Sequence, residues 1–237
     1  MLLAGVLYSS WPLGYWLNPQ ANRGLASNLE AIHQPYNWLF VGLDIVSGGL
    51  ICIATWYLLR FVRRHKRHPD SIWLETSVIG LGIFGFLTAL DALLPINCVE
   101  TVQKCLPPLE DPTFVIHGIA SIGSIGGLTL SILAIWWLIA RDRRVFQATR
   151  WLLHTILLAW FCFGIGTAVL VVRDRSSSLS QHVFILVCSL WLVMIPYLVW
   201  QVMHLRPYLP KTVVKPTSKR RKSPRPVARL AKSRSGA

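Results

Sequence analysis

The sequence predicts an all-α polytopic membrane protein: a six-transmembrane-helix bundle over residues 1–205, followed by a disordered basic cytoplasmic tail over residues 206–237. Three observations carry that expectation. Hydrophobic residues make up 53% of the 237 and charged residues only 14%, with a mean hydropathy of +0.48. A soluble domain carries roughly 25% charged residues, so a soluble globular enzyme is excluded. The charges are also gathered into short runs between long stretches that hold almost none. Finally, Lys and Arg concentrate in alternate connections, as they do in loops on the cytoplasmic side of a membrane.

Charge-free stretches mark the spans, because a charge at the bilayer centre costs about 2.5 kcal/mol or more on insertion scales. Residues 1–17 are apolar from the initial Met. They are taken as a retained first helix rather than a cleaved signal peptide, since no basic residue precedes the apolar run and no small-x-small pattern follows it. Residues 37–59 form the second span and hold one charge, Asp44. The third stretch is bracketed by Glu75 and Asp91, and residues 112–140, 151–172 and 176–205 contain no Asp, Glu, Lys or Arg. Each of these five reaches the roughly 20 residues needed to cross about 30 Å of hydrocarbon. Trp11, Trp16, Trp38, Trp73 and the Trp136 and Trp137 pair fall near expected helix ends, where aromatic belts form.

Orientation follows from the basic residues. Arg60, Arg63, Arg64, Lys66 and Arg67 follow the second span, Arg141, Arg143, Arg144 and Arg150 follow the fourth, and the whole tail from Arg206 is basic. The opposite side has only Arg23, Lys104, Arg173 and Arg175. An inner (plasma) membrane protein with both termini cytoplasmic is expected. The tail has no acidic residue, and Pro207, Pro210, Pro216, Pro224 and Pro226 prevent a continuous helix. Its expected partner is anionic inner-leaflet lipid, at about 1 kcal/mol per basic residue near the surface. Beyond Tyr208 no aromatic residue interleaves the charges, so no specific nucleic-acid partner is expected.

Cys98 and Cys105 lie in the loop after the third span, on the side the charge count places outside. A disulfide there would staple a local loop; two free thiols or a metal pair are the alternatives. Cys52, Cys162 and Cys188 lie within spans and read as small apolar packing residues.

Polar residues sorted by depth give the candidate site. Asp44 sits about 10 Å below the outer end of the second span at 1.5 Å per residue. Asp91 lies near the outer end of the third, with Thr88 a turn below. His117, Ser121, Ser124, Leu128 and Ser131 share one face of the fourth. His182 begins the sixth, with Ser189 two turns deeper, and Glu30 and His33 occupy an outer connection. Asp44 is too short to snorkel and has to face the bundle interior, water or a cation. The expected site is therefore Asp44, Asp91, His117, Ser121 and His182, for a lipid head group, a proton or a metal. Zinc would take His117, His182 and Asp91 with an open position for water, making a lipid amide or ester hydrolase the first alternative. The second is a structural membrane scaffold, whose polar residues merely cap helices or bond across them at about 0.6 kcal/mol each. No HExxH or HxxxH pattern occurs. Gly123 and Gly127 read as a GxxxG packing step.

Ser27, Asn28, Leu29 and Glu30, then Pro35 and Phe40, then Asp91 through Pro95 to Cys98, then Cys105, then His117 and Ser121 together resemble the bacterial membrane family called domain of unknown function nine-nine-eight, across essentially residues 1–205. Where many relatives carry Asp before the first cysteine, this chain has Asn97. The resemblance implies six helices and no established activity. The chain is also loosely similar to the Frag, DRAM and Sfk membrane proteins, and more distantly to the CREST hydrolases. It departs from the latter in placing His117 before Ser121 and Leu186 four residues after His182.

Overall fold

The computed structural model describes residues 1–20, 29–32, 34–64, 71–94, 112–141, 147–172 and 178–205. His33, Cys98, Cys105 and the tail 206–237 lie outside the described residues, so the expected disulfide and tail are among the readings that fall there. Among the described residues every regular element is helical: α1 (Leu2–Tyr8), a 3-10 turn (Trp11–Leu13), α2 (Gly14–Leu17), α3 (Asn37–Arg64), α4 (Ser71–Leu93), α5 (Pro112–Arg141), α6 (Gln147–Val172) and α7 (Ser178–Leu205). The last five are long and apolar enough to cross a membrane.

The long helices arise where the sequence is apolar without interruption and start where it offers a start signal. Asn37 opens α3, its Oδ1 accepting the Trp38 amide at 2.7 Å and so satisfying one of the free N–H groups of the first turn. Tyr36, at φ 64°, makes the left-handed turn that delivers the chain to that helix. Pro112 opens α5, where its missing N–H costs nothing. Pro196 lies inside α7, as transmembrane helices tolerate.

Residues 1–17 differ in form from the unbroken first span expected. They fold as two short helices around a 3-10 turn. The physical reason is Pro12: in a continuous helix its ring would meet the Tyr8 carbonyl and its missing N–H would break the ladder. The segment wedges between α3 and α7 instead. Ser47 on α3 donates to the Ala4 carbonyl at 2.9 Å, Ser9 bonds Ser189 on α7 at 2.6 Å, and the Tyr8 ring meets Phe84 of α4 edge-on at 5.3 Å.

Two glycine contacts set the spacing of α3, α4 and α5. A Cβ on Gly48 would come 2.5 Å from the Gly85 carbonyl oxygen, and one on Gly80 would come 2.5 Å from that of Gly127. Backbones approach this closely only without side chains between them. The expected GxxxG step is thus half realised: Gly127 faces Gly80, whereas a Cβ on Gly123 would meet only the end of the Leu87 side chain. One turn from Gly80, Ser77 donates to the Ser131 carbonyl at 2.9 Å, and the Trp191 indole donates to the Ser131 hydroxyl at 3.0 Å. These bonds stitch α4, α5 and α7 where lipid supplies no hydrogen-bond partners. Near the start of α4, Glu75 pairs with Arg63 of α3 at 3.5 Å. Cys52, Cys162 and Cys188 are free thiols.

Candidate functional site

The site is built at one common end of three successive helices. Asp44 lies seven residues into α3, Asp91 two residues before the end of α4, and His117 five residues into α5 with Ser121 a turn deeper. Because α3 enters, α4 leaves and α5 enters again, these positions fall at one level. Ser121 donates its hydroxyl hydrogen to Asp91 Oδ1 at 2.8 Å. His117 Nδ1 stands 3.2 Å from Asp91 Oδ1 and 3.2 Å from the Asp91 main-chain carbonyl oxygen. Both are acceptors, so the proton belongs on Nδ1 and Nε2 carries the lone pair in the neutral ring. His117 is buried. The shared face of α5 is as the spacing predicted: Ser124, Leu128 and Ser131 are buried below it.

Glu30 completes the group. It stands in the loop before α3, and its carboxyl lies near that of Asp44, within hydrogen-bonding reach. Two carboxyl groups can bond to each other only when one carries a proton. Burial, followed by the charge and hydrogen bond of Asp44 and the charge of Asp91, holds the Glu30 carboxyl well above its ordinary value. The partly buried Tyr8 ring lies within the electrostatic reach of all three carboxyls. Sequence reading placed Glu30 on the outer side but did not join it to Asp44.

The structure brings Asp91, His117 and Ser121 into direct contact and puts Asp44, with Glu30, beside them. It engages His182 differently. The His182 ring stacks on Trp11 with centroids 4.0 Å apart and planes 5° apart, and the Tyr15 ring meets it edge-on at 5.9 Å. The wedge of residues 1–17 thus takes up both polar residues expected of α7, His182 and Ser189. Among the described residues no three His, Cys, Asp or Glu side chains form a group able to hold a metal ion. The set His117, His182 and Asp91 is therefore not assembled as zinc ligands.

A pH dependence follows from Glu30. Its folded value is raised, so between 4.5 and that value the folded chain binds more protons than the unfolded one. Stability is full below the ordinary value and falls as pH rises through the folded one. Thermal unfolding in detergent is expected to give a lower midpoint at about pH 8 than at about pH 5, and Glu30→Gln to flatten the difference. A midpoint that rises with pH equally in both proteins would contradict the carboxyl pair.

A family model described as "Protein of unknown function (DUF998)" matches residues 1–196. The chain belongs to that family. No curated protein and no solved structure matches it, and the likenesses to Frag, DRAM and Sfk proteins and to CREST hydrolases gain no support from these comparisons.

Proposed function

We propose that this member of the family is an inner-membrane protein with cytoplasmic termini, whose outer-face site binds a cationic head group in exchange for a proton. The observation that carries the reading is the close Glu30 and Asp44 pair beside Asp91. Three carboxyls share one level with one imidazole, so the site has an excess of acid. An empty site of this kind neutralises itself with protons. A primary ammonium group, with three donors, fits the same oxygens and removes the need for the shared proton. His117, held by Asp91, is the neighbouring base that can receive or relay it. The basic tail is proposed to rest on anionic lipid of the inner leaflet.

The test is proton release. Short-chain phosphatidylethanolamine added to weakly buffered, detergent-solubilised protein is expected to release on the order of one proton per chain, and phosphatidylglycerol to release none. No release, or equal release with both lipids, would remove this reading.

A further inference from the structure

We infer that α3 carries, on its membrane-facing side, a binding site for one anionic phospholipid, with Arg60 and Arg64 holding the phosphate and Trp56, Ile53 and Gly49 seating an acyl chain. The inference is independent of the acidic site at the other membrane face. It begins from helix geometry. At 100° per residue, positions 46, 49, 53, 56, 60 and 64 fall on one stripe about 80° wide. The opposite side of α3, including Phe40, Ser47, Gly48, Ile51, Thr55 and Val62, is buried in the bundle. The stripe itself faces outward: Val46 is 51% exposed, Ile53 57% and Trp56 54%, and Arg60 and Arg64 are exposed.

The arginine end is preorganised. The Arg60 guanidinium lies over the Trp56 ring, 4.7 Å from its centroid. This contact fixes the planar fork of donors on an amphipathic ring that itself belongs at the membrane interface. Arg64 follows one turn further out on the same stripe, whereas Arg63 turns to Glu75. Two guanidiniums facing one phosphate leave an excess of positive charge. A glycerol head group adds nothing to that excess and a second phosphate neutralises it, whereas a choline or ethanolamine group adds a further cation beside them.

The apolar end fits in length and in relief. Arg60 and Gly49 are eleven residues apart, about 16 Å of helix, close to the roughly 15 Å thickness of one hydrocarbon leaflet. A Cβ built on Gly49 has nothing within 4 Å. The missing side chain therefore leaves a shallow hollow where an acyl chain ends. Charge complementarity thus selects the lipid class, and the distance from charge to hollow matches one leaflet.

Native mass spectrometry of the full chain tests this, with equimolar phosphatidylglycerol and phosphatidylcholine of the same acyl composition. The unsubstituted protein is expected to retain phosphatidylglycerol about tenfold over phosphatidylcholine. In the double variant Arg60→Gln with Arg64→Gln, retention should fall to near parity, while Arg60→Lys with Arg64→Lys keeps most of the preference because a lysine still meets phosphate as a point charge. Arg150→Gln, a basic residue at the start of α6, should leave it unchanged. The inference is overturned if the unsubstituted chain shows no preference, if the glutamine pair retains it, or if Arg150→Gln abolishes it. A dimer that Ile53→Trp dissociates, with no lipid preference, would instead make this stripe an interface between copies.

Discussion

Gly80→Ala is expected to destabilise the bundle by about 3 kcal/mol, the upper part of the range for overpacked interiors. The new methyl would stand 2.5 Å from the Gly127 carbonyl oxygen and 2.9 Å from the Ser131 amide nitrogen. Both are backbone atoms of a helix that packs along the whole length of α4, so no side chain can rotate away. The helices have to separate, and separation stretches the Ser77, Ser131 and Trp191 bonds one turn away. At roughly 2–4 °C per kcal/mol for a chain of this size, the unfolding midpoint should fall by about 6–12 °C. Gly126→Ala supplies the contrast. Its Cβ meets nothing within 4 Å, so the better helix propensity of alanine is expected to leave the midpoint equal or slightly higher. Equal losses in the two variants would mean that α4 and α5 do not meet through Gly80 and Gly127.

Asp44→Asn is expected to cut proton release on binding of phosphatidylethanolamine. After burial, which is the larger cause, the charge and hydrogen bonding of Asp44 raise the Glu30 carboxyl. Without them it falls part of the way toward its ordinary value, and the site holds less of the shared proton to give up. The same substitution should shrink the difference in stability between about pH 5 and about pH 8, as Glu30→Gln does. Asp91→Asn acts on the other half: it removes the carboxyl acceptor of Ser121 and His117. Ligand affinity should drop about tenfold, the order of 1.4 kcal/mol, with proton release retained per ligand bound. If Asp44→Asn releases as many protons as the unsubstituted chain, the Glu30 and Asp44 pair is not the exchanging group. His117→Ala separates relay from binding: release should slow while its amount persists.

How much of the site was legible depends on the kind of signal each residue leaves. Asp44, Asp91, His117 and Ser121 could be placed at one level because depth in a membrane is nearly a linear function of position along a helix. Their spacing from Asn37, Leu93 and Pro112 suffices. Glu30 lies in a loop, where sequence position says little about location, and its approach to Asp44 is a product of folding. His182 was placed at the right depth but in the wrong company. Depth fixes one coordinate and leaves rotation about the bundle open, and Trp11 and Tyr15 occupy the face that the metal reading needed.

The sequence alone located the five long helices, though not all of their limits, since lipid offers no partners to a backbone or a charge and every crossing segment has to declare itself by composition. Only the tertiary structure decided that residues 1–17 form a broken wedge, that Gly80 answers Gly127, and that Glu30 comes near Asp44 while His182 stacks on Trp11. The physical reason is that helix formation in a membrane is a local matter of hydrogen bonds and apolar surface, whereas the pairing of faces depends on which side chains fit when all the helices are packed together.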